Sequence, residues 1–199
     1  MRILLYRLYE YFALYLALFM LGAACLLWSA LALILVLLLP RERGKRFGRL
    51  GISTGFRLYL WALRKCCACH FDLTDLDLLR DAGPLIIAPN HPSLLDALMI
   101  LSRLPDTACV LKAGLIDNVF LGAGARLAGF IRNDQFVGMV RNAIAELRQG
   151  KQLLLFPEGT RTAGGIPSQF KGSVAIIASR AQVHVQLLTI EASRGFLGK

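Results

Sequence analysis

The sequence is short of acidic residues, with 13 aspartates and glutamates against 23 lysines and arginines and a formal net charge of +10. It also lacks any motif that would direct this charge to nucleic acid. An anionic membrane surface attracts lysine and arginine in the same way. We therefore expect membrane lipids, and no nucleic acid, as partners of the basic surface.

Charge is missing altogether between Tyr11 and Leu39, and this run of roughly 29 residues exceeds the ~20 that a helix needs to cross a bilayer. A cleaved signal peptide would have an apolar region of only about 7 to 15 residues ending at a small-residue site. Here Pro40 and a cationic block follow instead. We predict a spanning helix, with a tilted helix or helical pair in one leaflet, bent at Gly22, as the alternative.

Residues 1–49 are predicted to be an N-terminal membrane anchor with its basic flank. The cations after the apolar run outnumber those before it, which by the positive-inside tendency places the following domain on the cytoplasmic face of the membrane. These cations are Arg41, Arg43, Lys45, Arg46 and Arg49. Residues 50–71 mix aromatic and basic side chains, which fits a membrane-proximal amphipathic segment and equally an ordinary helix packed on the domain.

A second set of zinc ligands is missing downstream of the cluster formed by Cys66, Cys67 and Cys69. Structural zinc sites pair ligands from two separated knuckles, so we expect no metal and reduced cytoplasmic thiols, some near enough to the membrane for acylation. The sequence also lacks repeats and low-complexity segments apart from the leucine-rich run. Its 199 residues suit one domain with a core.

Short apolar runs alternate with helical patterns from residue 72 onward. This alternation predicts an α/β fold with a central, largely parallel sheet flanked by helices, preceded by the N-terminal membrane helix or helical pair. We also expect further chain beyond Lys199 to cover the last strand. Strands are predicted at 85–88, 108–111, 130–131, 152–156 and 184–190, and helices at 94–104, 118–127, 135–148 and 172–180.

His91 and Asp96 follow the first predicted strand, a usual place for active-site groups in α/β folds. On one continuous helix, residues five apart lie about 140° out of alignment and could not pair. Pro92 suits the first helical position and keeps its predecessor out of helical angles, so His91 can fold back over the first turn. Asp96 would then fix the tautomer of a general base. A structural or N-capping histidine fits the same spacing, whereas Ser93 lacks the Gly-x-Ser-x-Gly elbow of a nucleophile.

Two further groups of polar residues follow later strands. Glu158, Gly159, Thr160 and Arg161 belong to a Phe-Pro-Glu-Gly-Thr-Arg block, in which the glycine permits close backbone approach and the arginine suits phosphate. Arg132 ends the sequence Gly-Phe-Ile-Arg at a strand edge. Lys171 sits at a predicted helix start, where phosphate is also favoured. Alone, Arg161 would equally be a solvated loop charge.

Together and in this order, the His-Asp pair, the Phe-Ile-Arg sequence and the Phe-Pro-Glu-Gly-Thr-Arg block resemble the glycerolipid acyltransferase family, of the lysophosphatidic acid acyltransferase type. The resemblance covers roughly residues 72 to 190, within a catalytic domain at 72–199. It implies that the base, His91, deprotonates an acceptor hydroxyl for attack on an acyl-CoA or acyl-carrier-protein thioester, with Asp96 orienting it and no cofactor. It further implies that the acceptor is bound by Arg132, Glu158, Gly159, Thr160, Arg161 and Lys171, with the Gly159 amide as an oxyanion donor.

The acceptor implied by this resemblance is the lysophospholipid 1-acyl-glycerol-3-phosphate, and the product is phosphatidate. Two departures suggest a divergent branch. Pro92 stands where many relatives have Gln or Ser, and Val183–Leu188 lacks the family's usual late proline. Another lysolipid or specialised lipid acceptor therefore stays open, as does an inactive membrane-anchored relative.

Overall fold

The computed structural model describes residues 2–67, 69–119, 122–161 and 169–191. Two long helices, α1 (Arg2–Leu38) and α2 (Arg41–Cys66), open the chain and are joined at Pro40. They pack side by side as an antiparallel pair. Tyr59, near the end of α2, donates a hydrogen bond to the carbonyl of Ala17 in the first half of α1, at 3.1 Å. A short helix α3 (Thr74–Asp77) leads from this pair into the sheet.

Five strands follow, and at least one helix separates each strand from the next. The strands are β1 (Leu85–Pro89), β2 (Thr107–Leu111), β3 (Ile131–Arg132), β4 (Gln152–Leu154) and β5 (His184–Leu188). The helices are α4 (Asp96–Arg103), α5 (Ala113–Ile116), α6 (Gly122–Leu127), α7 (Phe136–Arg148) and α8 (Ser173–Ala181). The predicted strands and helices all occur, with ends shifted by a few residues, and the strand predicted at 152–156 ends at Leu154.

The sheet has the order β3-β2-β4-β1-β5, and every strand pair is parallel. The predicted α/β fold with a parallel central sheet is therefore confirmed. Because all five strands run the same way, the loops that follow them meet at one edge of the sheet. Strands β1 and β4 are neighbours, which brings the loops that carry the two main sequence blocks together.

Each face of the sheet has its own apolar core. On one face, α7 and α8 cover strand residues such as Ile86 and Leu153, with Ile177 of α8 fully buried between them. On the other face, α4 covers residues such as Ile87 and Leu154. Strand β1 is apolar throughout, and β4 is apolar apart from Gln152, because both faces of these strands are buried.

Helix α1 runs unbroken through Gly22, and the choice between a spanning helix and a tilted or bent helix in one leaflet stays a prediction. Its segment Arg7–Leu38 is the one described helix long and apolar enough to cross a membrane, with a mean hydropathy of 2.6. Only 11% of its most apolar window is buried against the rest of the chain, so the remaining surface is available to lipid. The helical pair is formed by α1 with α2, and not within the apolar run itself.

Helix α2 crosses the predicted boundary between residues 49 and 50 without a break. Its buried face packs on α4 and α6, where the Ser53 hydroxyl donates to the Ser102 carbonyl at 3.2 Å. A helix packed on the domain, one of the two interpretations of residues 50–71, is what the structure shows. The basic flank also belongs to the domain in part, because Arg49 is only 3% exposed.

Candidate active site

His91 lies in the loop between β1 and α4, one residue after Asn90, and Asp96 is the first residue of α4. Nδ1 of His91 is 2.8 Å from Oδ2 of Asp96. The Asp96 side chain is fully buried, whereas 20% of the His91 side chain is exposed. The predicted fold-back of His91 over the first helical turn is therefore present. It gives a solvent-reachable imidazole attached to a buried carboxylate.

Ser93 supplies two more hydrogen bonds to the same carboxylate. Its backbone N–H donates to Oδ2 of Asp96 and its hydroxyl donates to Oδ1, both at 2.8 Å. The Ser93 Oγ also accepts from the N–H of Leu95 at 3.1 Å. Sequence reasoning did not assign Ser93 to the site, because these hydrogen bonds depend on the conformation of the loop.

Asn90 connects the start of this loop to the chain after β5 through hydrogen bonds. Its side-chain amide donates to the carbonyl of Ile190 at 3.1 Å, and its side-chain oxygen accepts from the N–H of Ile190 at 2.6 Å. Its backbone N–H donates to Leu188 at 3.3 Å. The side chain of Asn90 thus extends the hydrogen bonding between β1 and β5 by one residue beyond the strands, and this pairing stops before His91.

The block after β4 reaches the histidine through Phe156. The two rings stack with centroids 4.1 Å apart and planes inclined by 27°. Phe156 therefore forms one wall of the site, a role that sequence reasoning missed. The signal was available, since Phe156 is the last residue of the predicted strand at 152–156, and β4 pairs with the strand before His91.

Glu158 and Gly159 form a tight turn behind Phe156. Gly159 has φ +69°, and its N–H donates to the Phe156 carbonyl at 3.1 Å. The turn uses this donor in the present structure, and the oxyanion role of the Gly159 amide stays a prediction. Glu158 is 3% exposed, Thr160 is exposed and Arg161 is half-buried. Thr162, the residue after the block, lies outside the described residues.

Lys171 comes back to this turn from the start of α8. Its N–H donates to the Pro157 carbonyl at 2.9 Å, and its amine lies over Gly159, so that a methyl group placed there would be 2.5 Å from Nζ. The structure thus brings Lys171 together with Glu158, Gly159, Thr160 and Arg161. These residues share an edge with His91 because β4 and β1 are adjacent.

Arg132 is the predicted site residue that the structure places apart. It ends β3, three strand spacings or about 14 Å from β1 across the sheet. Its guanidinium donates to Asp117 at 2.7 Å and to Asp134 at 2.9 Å. These hydrogen bonds raise the pKa of Arg132, and those from Arg132 lower the pKa of Asp134. Arg132 lines a separate groove of about 1050 Å³, so contact with the same ligand as His91 stays a prediction.

The cysteines offer no competing nucleophile near the histidine. Burial raises the pKa of Cys109 to about 12, and burial followed by the charge of Cys66 raises the pKa of Cys67. Cys67 packs in the apolar cluster between α1, α2 and α4, and its thiol donates to the Ala13 carbonyl at 3.6 Å. Both thiols stay protonated at neutral pH, and a protonated thiol is a poor nucleophile.

A base-carboxylate pair in the loop after a parallel strand, beside a basic turn after the neighbouring strand, defines the class of site. The family model described as Acyltransferase matches residues 70–191, and the chain belongs to this acyltransferase family. Its relatives include the 1-acyl-sn-glycerol-3-phosphate acyltransferase of Helicobacter pylori, 32% identical over 140 residues, and 1-acyl-sn-glycerol-3-phosphate acyltransferase beta of Homo sapiens, 29% identical over 173 residues. The predicted resemblance to the lysophosphatidic acid acyltransferase type is confirmed.

The alignments cover 64% and 82% of this chain, but only 58% and 59% of those two relatives. The fold is similar to the crystal structure of the 1-acyl-sn-glycerophosphate acyltransferase from Thermotoga maritima. That comparison gives a TM-score of 0.66 at 20% identity, over 90% of this chain and 73% of the other. It supports the architecture of the sheet and its helices.

Proposed function

We propose that this chain transfers a fatty acyl group from the thioester of acyl-CoA or acyl-carrier protein to the hydroxyl of 1-acyl-glycerol-3-phosphate, giving phosphatidate. The observation that carries the proposal is the 2.8 Å hydrogen bond between His91 and the buried carboxylate of Asp96. The names of the relatives support the acceptor and the product. The apolar surface of α1 supports a membrane-bound enzyme, and the basic flank favours a cytoplasmic domain.

The chemistry needs one base and no cofactor. With the carboxylate as acceptor, Nδ1 of His91 carries a proton, and Nε2 is the nitrogen that removes the proton from the acceptor hydroxyl. The hydroxyl oxygen then bonds to the thioester carbonyl carbon, and the carbon–sulfur bond breaks. The imidazolium returns its proton to the leaving thiolate, so His91 ends the cycle as it began. Asp96 stabilises the imidazolium in between.

The basic turn behind Phe156 is placed to hold the acceptor's phosphate. Arg161 and Lys171 carry the positive charge, and the polar side chains of Glu158 and Thr160 suit the glycerol portion. The Phe156 ring shields one face of the imidazole from water. Arg132, at the far side of this edge, would reach only a more distant part of the substrates.

The test is acyl transfer from labelled acyl-CoA to a panel of lysolipids in detergent, comparing the native chain with His91→Ala. We expect the variant to lose at least about 100-fold, the typical contribution of a general base. His184→Ala is the matched control, because His184 begins β5 at the opposite edge of the same sheet and is exposed. It should keep the native rate.

Each result has a distinct meaning. Equal rates for the native chain and His91→Ala would overturn the mechanism. No consumption of acyl-CoA or acyl-carrier protein with any lysolipid would favour the inactive relative. Transfer to a lysolipid other than 1-acyl-glycerol-3-phosphate would keep the chemistry and change the acceptor.

A further inference from the structure

The carboxylate of Asp96 is held from two sides by Ser93. The backbone N–H of Ser93 bonds to the oxygen that also faces His91, and the hydroxyl bonds to the other oxygen. Asp96 is 0% exposed and Ser93 is 8% exposed, so solvent does not replace these donors. A buried carboxylate is costly unless hydrogen-bond donors surround it.

The hydroxyl of Ser93 also has a fixed direction. Its oxygen accepts from the N–H of Leu95 at 3.1 Å, which sets the lone pair and leaves its single proton to point at Oδ1 of Asp96. Rotation of the carboxylate about its Cβ–Cγ bond would break this bond. The position of Oδ2, and with it the hydrogen bond to Nδ1 of His91, therefore depends on the serine.

We propose that Ser93 is a positioning residue of the acyl transfer: its hydroxyl holds the plane of the Asp96 carboxylate, which in turn holds the orientation of His91. The proposal rests on the proposed function. A small rotation of the imidazole moves Nε2 away from the acceptor hydroxyl, and misplacement by about 1 Å can lower a rate roughly 100-fold. The effect belongs to the chemical step, because Ser93 contacts the carboxylate and not the phosphate-binding turn.

A purely local role is the competing explanation. The bond from Leu95 to the Ser93 hydroxyl is a serine turn, which could serve only to start α4. The two roles differ in whether the effect of Ser93 on the rate depends on Asp96. A turn stabilises the fold whether or not Asp96 is present, whereas a positioning residue acts through Asp96 alone.

The experiment measures kcat and both KM values for Ser93→Ala, Ser93→Thr and Ser102→Ala in the full chain in detergent. We expect Ser93→Ala to lower kcat about 10- to 100-fold with both KM values within about twofold. Ser93→Thr keeps the hydroxyl and should recover most of the rate. Ser102→Ala is the matched control, because Ser102 is a buried serine of α4, the helix that begins at Asp96, and its hydroxyl donates to the Met99 carbonyl.

A double-mutant comparison separates the two roles. If Ser93 acts through Asp96, adding Ser93→Ala to Asp96→Ala should change the remaining rate by less than about twofold. An equal loss in both backgrounds, or a kcat for Ser93→Ala equal to the native one, would overturn the proposal. A failure of Ser93→Thr to exceed Ser93→Ala would do the same. The proposed function fails separately, through an unaffected His91→Ala.

Discussion

Gly159 is a residue whose backbone conformation and surroundings both bear on the site. Its φ of +69° lies in the left-handed region, and the Lys171 amine occupies the space where a side chain would begin. An alanine there meets a conformational cost of about 1–2 kcal/mol and also displaces the amine. Since the lysine tip is flexible, the displacement costs little stability. It does move a positive charge away from the turn.

We predict that Gly159→Ala raises the KM for the acceptor about tenfold, the value of one charge-assisted hydrogen bond, with a smaller change in kcat. Steady-state kinetics with varied lysolipid concentration measures this change. Gly150→Ala is the control, because Gly150 has φ +80° and nothing within 4 Å of the added methyl. Both variants should unfold at similarly lowered temperatures. If the acceptor KM is unchanged in both, Lys171 does not bind the acceptor.

For single residues, the sequence predicts those contacts that depend on residues adjacent in the chain. The contact of His91 with Asp96 follows from Pro92, which is adjacent to the histidine. The clamp from Asn90 to Ile190 joins residues 100 positions apart, and no local pattern indicates it. For the same reason, the pairing of Arg132 with Asp117 was not foreseen.

Among the helices, one contact of α1 with the domain is made by Trp28, which packs beside Ala123 and Leu127 of α6. Its indole fits between Gly51 of α2 and Gly124 of α6, where added methyl groups would lie 2.0 Å and 2.6 Å from ring atoms. The indole Nε1 is buried, with no acceptor in reach among the residues that the structure describes. Shape alone therefore holds this contact.

We predict that Gly51→Ala destabilises the chain by about 1–3 kcal/mol, because a rigid ring cannot move aside in a packed interface. Thermal unfolding in detergent measures the loss, and the emission of Trp28 in a Trp61→Phe background reports the displaced ring.

Gly55→Ala, one turn further along α2, meets nothing within 4 Å and should stabilise the helix by roughly 0.5–1 kcal/mol. Opposite signs for the two substitutions are the expected result. If Gly51→Ala also stabilises the chain, the slot for Trp28 is not tight.

Helices and strands were predicted correctly where a single hydrophobic periodicity dominates the segment. The apolar runs of β1 and β4 and the repeat of α7 each indicate their structure directly. The division of the chain at residue 49 did not anticipate α2, because Lys45 and Arg49 look like surface cations in sequence. Their partner, Glu146, lies about a hundred residues away.

Across the whole molecule, a charge network joins α2 to α7. Arg49 donates to Glu146 at 2.7 Å and to the Ala128 carbonyl at 2.9 Å, and Lys45 donates to Glu146 at 2.9 Å. Burial alone raises the pKa of Glu146, but the hydrogen bonds and charges of Arg49 and Lys45 outweigh it and lower the pKa below 4.5. Glu146 is therefore ionised in the folded chain at neutral pH.

A carboxyl group whose pKa is lowered on folding stabilises the fold above its unfolded pKa. That contribution is lost as the pH falls through the folded value. We predict that Glu146→Gln lowers the unfolding temperature clearly at pH 7, and that the difference from the native chain shrinks below pH ~4.5. Thermal unfolding between pH 7 and pH 3 in detergent measures this trend.

Asp77→Asn serves as the control, because Asp77 pairs with Arg103 in a half-exposed position and should matter little at any pH. A constant difference between native and Glu146→Gln chains across the pH range would contradict the role of this ion pair.

The unbroken course of α2 has a practical consequence for anyone who wishes to study the catalytic part in water. A shortened protein that starts at residue 50 would retain Glu146 in the interior without either cation and would uncover Leu127 of α6, against which Gly44 and Gly48 pack. One that starts at Arg41 would keep both ion pairs, but the loss of α1 would empty the slot between Gly51 and Gly124 and would leave Tyr59 and Cys67 without the carbonyls of Ala17 and Ala13.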